Sequence, residues 1–410
     1  MANPLHHRGS IALFIVLALG VCAAHSSEIK PKFKVLHAFT GGADGGGVFG
    51  GAVLDKAGNL YGTTSGGGAH NRGTVFELSP TSGGHWRETV LHSFCSEPNC
   101  SDGDSPNAGL TLDAAGNLYG ANQWAIFELS PGADGWRFAV IYAGGCRSNL
   151  LLDKAGNLYG PFGRGTGHGG AISELIRASG WSLKTLYSFC PTIPCIDGDS
   201  PNAVVWDSAE NLFGTTQLGG KGITGDWGTA FELSHATSGT WQHLLLHSFQ
   251  AFQGDGEVPY AGLVLDSAGS LYGTTNTGGK YTCYNAGCGT VFKLARDSQG
   301  HWKETILHNF RQGENGEGPG GGVVFDKAGN LYGVTADGGL FGACAVGCGV
   351  VFKLSPRSDG TWQYSVLHRF TGSDGAGPAD SLILDEKGNI YGTTTEGGPG
   401  GYGVVFEITP

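Results

Sequence analysis

The chain lacks clustered positive charge, helical periodicity sustained over three turns, and any apolar run beyond its first 26 residues long enough to cross a bilayer. Each lack excludes something. Nucleic acid and anionic membrane surfaces require concentrated Lys and Arg, whereas here 24 basic residues are dispersed among 35 acidic ones, for a net charge of −11. Without a 3.6-residue period there is no basis for a helical architecture. Glycine is abundant at 75 residues but lacks the strict triplet spacing of collagen. It falls instead between aromatic and β-branched runs, which predicts many tight hairpins.

The one apolar run, Ile11 to Val21, follows Arg8 and precedes Ala23, Ala24 and Ser26. It is too short for a stable span and reads as a secretory signal peptide over residues 1–26, cleaved near Ala24 or Ser26. Lipoprotein processing at Cys22 is the competing reading, disfavoured because Val21 is a poor residue before such a cysteine. A secreted or periplasmic protein with no membrane span after cleavage is expected, its mature part being residues 27–410. The cysteines agree. Without Cys22 nine remain, and eight form close pairs: Cys95/Cys100, Cys190/Cys195, Cys283/Cys288 and Cys344/Cys348. Zinc ligands converge from two arms, but these pairs lie in four separate stretches, so local disulfides in an oxidising compartment are expected. Cys146 is left over.

What the chain does have is one phrase repeated seven times, D-x-x-G-N-L-Y-G-T-T, followed after a Gly-rich gap by G-T-V-F-E-L. Its anchors are Tyr61, Tyr119, Tyr159, Phe213, Tyr272, Tyr332 and Tyr391, spaced by 58, 40, 54, 59, 60 and 59 residues. Such a period means stacked units, none able to bury its apolar face alone. In the first unit Gly51–Leu54 leads into a turn at Asp55–Gly58. Asn59–Thr64 returns, Thr74–Leu78 follows a loop, and Trp86–Phe94 closes the set. Four antiparallel strands in seven units predict an all-β, seven-bladed β-propeller. A fourth-strand signature at Phe33–Phe39 precedes the first unit, and the chain ends on a third strand at Val404–Ile408. The N-terminal strand is therefore expected to complete the last blade and remove an exposed edge. A linear solenoid is the runner-up. Turns between first and second strands, and between third and fourth, should be short and lie at one end. The long, variable loops and all four cysteine pairs should lie at the other, which is where a binding surface is expected.

Residues that look chemical fall into repeated and unrepeated groups. His37, His92, His247, His308 and His368 occupy one repeat position, with Tyr142 and Tyr187 in the other two units. Spread around a ring, they are expected to pack rather than to converge on a metal. The repeated Asp55, Asp113, Asp153, Asp207, Asp266, Asp326 and Asp385 read as turn residues, and Trp86, Trp136, Trp181, Trp241, Trp302 and Trp362 as packing between blades. Gly103–Pro106 and Gly198–Pro201 carry an Asp-Ser pair, but with Pro where a serine nucleophile needs Gly, so no catalytic residue is expected. Asp102/Asp104 and Asp197/Asp199 offer oxygen ligands for Ca²⁺, although the twelve-residue calcium-loop spacing is absent and no cofactor is required. The unrepeated loop residues Arg72, His168, Asp226, Trp227, Tyr281 and Tyr284, with His70 and Arg164 nearby, suit sugar or peptide recognition because the blade does not need them.

The full phrase, as in Asp326–Gly333 followed by Gly349–Leu354, resembles the bacterial GloVer (Gloeo/Verruco-type) tandem-repeat family over nearly all of residues 33–410. The resemblance implies an exported protein with no assigned activity. Members carry varied C-terminal anchors, but this sequence stops at Pro410, so release, or retention by other means, is expected here rather than a C-terminal anchor. The D-x-x-G-N-L-Y turn is also similar to that of NHL and gluconolactonase-like propellers, some of them metal-dependent lactonases or lyases, by analogy of fold alone. The expected function is a monomeric, non-catalytic binding or surface-interaction module for polysaccharide or a protein partner. The alternative is a lyase or lactonase with its site at the central channel.

Overall fold

The repeated phrase folds as one hydrogen-bonded unit. In the computed structural model, Asp55 Oδ1 accepts from the amides of Ala57 (2.9 Å) and Asn59 (2.8 Å), while Oδ2 accepts from Asn59 Nδ2 (2.9 Å) and the Tyr61 hydroxyl (3.2 Å). Gly58 closes the turn at φ +89°. The Asp, Gly, Asn and Tyr of the phrase are thus four parts of one device, which recurs around Asp113, Asp153, Asp326 and Asp385. The structure describes residues 30–146, 148–163, 165–221, 227–236, 239–250, 254–283, 286–342 and 344–410. The expected signal peptide, residues 1–26, and Cys22 lie outside the described residues. Residues Pro31–Pro410 form one compact unit, and two short 3-10 turns are the only helical elements described.

Seven four-stranded antiparallel sheets make a seven-bladed propeller. Blade 1 comprises Val53–Leu54, Leu60–Thr64, Thr74–Pro80 and Trp86–Ser93. Blades 2 to 6 repeat this order, with second strands at Leu118–Ala121, Leu158–Gly160, Leu212–Leu218, Leu271–Thr275 and Leu331–Thr335. Blade 7 takes Ile383–Leu384, Ile390–Thr393 and Val404–Thr409 from the C-terminal region. Its fourth strand is Lys32–Ala38, paired from Lys32↔Thr409 to Ala38↔Val404. In every blade the third and fourth strands slip register at the same place, as between Val75 and Phe76 in blade 1. Such a bulge sharpens the twist that each blade needs.

Glycine in the second strand makes room for an aromatic ring. A Cβ on Gly62 would sit 2.6 Å from the Phe76 ring, and Gly120/Phe127, Gly214/Phe231, Gly273/Phe292, Gly333/Phe352 and Gly392/Phe406 repeat the arrangement. Each of these rings is fully buried, worth roughly 2–3 kcal/mol by area. Blade 3 departs from the pattern. Ser173 takes the phenylalanine position, and Phe162, two residues beyond Gly160, fills the space.

The core lies between blades. Seven apolar clusters each join one blade to the next: Tyr61 and Val75 of blade 1, for instance, meet Leu110, Leu118, Phe127 and Leu129 of blade 2. The fourth-strand tryptophans cross these junctions as expected, with Trp136 edge-on to Tyr61, Trp181 to Tyr119, Trp302 to Phe213 and Trp362 to Tyr272. The G-T-T of the phrase has an unanticipated part in this. Its first threonine donates to a backbone carbonyl of the next blade: Thr63 to Ala108, Thr215 to Ala261, Thr274 to Gly321 and Thr393 to Gly50.

Candidate functional site

The ring has two unlike ends. First-to-second and third-to-fourth turns sit at one, built on the aspartate device. The other carries second-to-third loops and the connections between blades, which touch each other through bridges such as Gly46↔Gly66, Glu317↔Asp337 and Ala376↔Glu396. All four expected disulfides form, Cys95–Cys100, Cys190–Cys195, Cys283–Cys288 and Cys344–Cys348, and all lie at this loop end. Cys146 is free and buried, and burial pushes its thiol up to about 11.

Exposed apolar side chains divide the same way. Of the fourteen large hydrophobics exposed among the described residues, Val140, Leu183 and Leu244 lie on fourth strands, and the other eleven lie in or against loops of the loop end. They include every exposed aromatic among the described residues: Phe49, Trp124, Tyr260, Tyr281, Phe341 and Tyr402. None lies in the aspartate turns. Phe49 and Tyr260 flank a central cavity of about 260 Å³ whose walls come from all seven blades, mostly Gly, Ala and Val with Asn107, Asn149, Ser148 and Ser381. Asp380 is the one acid in that wall. Its carboxylate accepts from the amides of Gly51 and Ser381 and from the Asn149 side chain, while burial pushes it up from the ordinary carboxylate range.

The loop residues singled out from sequence do not gather at one point. Arg72, His168, Trp227 and Tyr281 belong to the second-to-third loops of blades 1, 3, 4 and 5. Arg72 is the one that meets another candidate, pairing with Asp104 at 3.6 Å. Trp124, which sequence reasoning passed over, donates its Nε1–H to the same carboxylate at 3.2 Å and is 64 % exposed. Trp227 is half-buried against the cluster joining blades 4 and 5, and its carbonyl accepts from Val258, so part of its role is packing. Tyr281 is exposed beside Lys280, and His168 is exposed in its loop. Asp226, Tyr284 and Arg164 lie outside the described residues.

Of the four Ca²⁺ candidates, Asp102 is 1 % exposed and accepts from His92 Nε2, the Ser96 amide and hydroxyl, and the Glu97 amide. Burial pushes its carboxyl up, but these donors outweigh that and hold it below the usual range. Asp197 caps the equivalent loop in blade 3, accepting from the Tyr187 hydroxyl (2.7 Å) and the Cys190 amide. Asp104 faces Arg72 and Trp124, and Asp199 accepts from the Ser200 hydroxyl. Each pair therefore splits between a loop cap, Asp102 or Asp197, and a residue two positions on that takes no part in the cap, Asp199 being the first residue of a strand. A short motif that the sequence reading did not identify, a fourth-strand His or Tyr followed by a capping Asp, explains the caps and recurs as His92/Asp102, Tyr187/Asp197, His247/Asp255 and His368/Asp374.

Solved structures with the same fold share little sequence. Virginiamycin B lyase from Staphylococcus aureus is 10 % identical at a TM-score of 0.50, covering 93 % of this chain and 99 % of that one. The extracellular domain of a hybrid two-component system from B. thetaiotaomicron is 11 % identical at 0.57, covering 92 % of this chain, which spans only 39 % of that protein's length. PorZ, a bacterial surface component of the type-IX secretion system of Porphyromonas gingivalis, is 14 % identical at 0.50, covering 87 % of this chain and 46 % of that one. No curated protein matches by sequence. The sequence profile of the Gloeobacter/Verrucomicrobia repeat matches residues 121–346 and 282–410, together most of the chain, and the protein belongs to that repeat family.

Proposed function

We propose that the protein is an exported binding module that engages a polysaccharide, or failing that a protein segment, across the loop end of its ring. The observation that carries this is the one-sided distribution of exposed aromatics on disulfide-stapled loops. Tyr and Trp present flat apolar faces with a polar tip, which suits the alternating CH faces and hydroxyls of sugars. The Arg72–Asp104–Trp124 cluster and the Phe49/Tyr260 mouth of the cavity are its two best-formed patches. Export is supported by four disulfides, which persist in oxidising compartments, and by extracellular proteins among the structural neighbours. No described helix is long and apolar enough to cross a membrane.

The lyase or lactonase alternative requires acid, base or metal-binding groups converging on the channel from several blades. Among the described residues the channel wall supplies Asp380, already engaged by three donors, and so lends that alternative no support. A glycan array probed with the wild type, Trp124→Ala, Tyr260→Ala and Tyr281→Ala tests the proposal. Specific binding, weakened at least tenfold in one or more variants, is the expected result. Binding unchanged in all three would move the surface elsewhere, and no binding to any glycan would leave the protein partner. Parallel wells with EDTA, then with Ca²⁺ restored, decide whether Asp102/Asp104 or Asp197/Asp199 hold calcium.

A further inference from the structure

At each blade junction the fourth-strand His or Tyr of one blade faces the third residue of the next blade's fourth strand. In four junctions the pair is a ring stack: His92 on Phe138 (3.9 Å), Tyr187 on His243 (4.7 Å), His308 on Tyr364 (4.0 Å) and His368 on Phe33 (3.7 Å). Leu183 holds the position in blade 3. Blades 1 and 5 place a carboxylate there, Glu88 and Glu304. The architecture plainly accepts an aromatic at this point, and desolvating a carboxylate instead costs several kcal/mol unless something compensates it.

At the blade 4–blade 5 junction the compensation is visible as a donor set. His247 Nε2 lies 3.2 Å from Asp255 Oδ2 and 3.7 Å from Glu304 Oε2, and the three ligand atoms fall within 4.8 Å of one another. A tetrahedral metal with bonds near 2.0–2.1 Å separates its ligands by about 3.4 Å, which these distances bracket. No Lys or Arg pairs with either carboxylate among the described residues, and Glu304 Oε1 is buried without a hydrogen-bond partner. The side chains are 13–22 % exposed, which leaves a path for water to a fourth position. The junction of blades 7 and 1 has the same residue types, His37, Asp44 and Glu88, but does not bring three donors within that reach.

We propose that His247, Asp255 and Glu304 form a three-ligand site for a divalent transition-metal ion of the Zn²⁺ type, clamping blade 4 to blade 5. One imidazole and two carboxylates match such an ion, whereas Ca²⁺ requires six to eight oxygens. All four disulfides close local loops, so the ion would link two blades that packing and hydrogen bonds otherwise join.

The test is calorimetric titration of the chelator-treated protein with ZnCl2, alongside thermal unfolding with and without the metal. The expected result is one Zn²⁺ per chain and a Tm raised by several degrees, with CaCl2 giving neither. Two substitutions copy residues that the protein already uses at equivalent places: Glu304→Tyr after Tyr364, and Asp255→Asn after Asn315. Each should fold, shown by an unchanged circular-dichroism spectrum, and lose stoichiometric Zn²⁺ binding, while Glu88→Tyr keeps it. Absence of binding in the wild type, or binding retained in both Glu304→Tyr and Asp255→Asn, overturns the proposal and leaves the two carboxyls sharing a proton.

Discussion

The two ends of the ring are made from the same seven repeats and have diverged in opposite directions. At the turn end, each unit spends its polar groups on itself: the aspartate accepts from its own turn amides and, in six of the seven units, a buried tyrosine hydroxyl. At the loop end, the units differ in length, in disulfides and in which aromatic they expose. Uniformity marks the end that holds the blades in shape, and variety marks the end where the proposed partner would bind.

That division can be broken by experiment. Asp326→Ala removes four accepted hydrogen bonds and strands a buried hydroxyl, so it should cost about 3 kcal/mol in chemical unfolding and leave partner binding intact. Loss of binding without loss of stability would refute the division. On the strands that link the ends, His308 is buried against Tyr364, and burial first, then Arg311, pushes its imidazole down to about 4. An unfolded histidine titrates near 6.5, so the unfolded chain takes up a proton that the ring refuses. The stability this contributes is complete above 6.5 and is lost as pH falls towards 4, a drop on the order of 3 kcal/mol. Denaturation curves of His308→Phe across this window should be flatter than the wild type's. At the loop end, the Cys95→Ser/Cys100→Ser pair should lose roughly 2 kcal/mol by the chain-entropy argument for a short loop. Smallest of all, Trp124→Ala should shift the unfolding midpoint by less than about 0.5 kcal/mol while weakening binding, the reverse of Asp326→Ala.

The same contrast explains what could be read from the sequence. Blade number, strand order and closure were legible because Asp55 and Gly62 have six counterparts each, and Tyr61 and Phe76 five each, and repetition separates requirement from accident. The loop end has no such internal control. Trp227 looked like a free aromatic and is half committed to the core, while Trp124, in a loop of a few residues, drew no notice and is the most exposed tryptophan. Asp102 and Asp104 looked alike as neighbours, yet only alignment with Asp197, Asp255 and Asp374 separates the cap from the outward partner of Arg72. The threonine clip and the Phe162 replacement in blade 3 depend on contacts across blades or across a loop, which a linear reading does not place.

Pairing Ala38 with Val404 has a consequence in time as well as in space. The strand that completes the ring, Lys32–Ala38, and its partner, Val404–Thr409, are far apart in sequence, and the last blade is complete only when they meet. Until then blade 7 has no outer strand, and the ordered part of the chain must wait with an edge unpaired at each side of the gap. Contacts of such sequence separation slow folding, because loop entropy must be overcome before they form. The pairing of Lys32–Ala38 with Val404–Thr409 therefore acts as the latch, and the ring is whole only once it has formed.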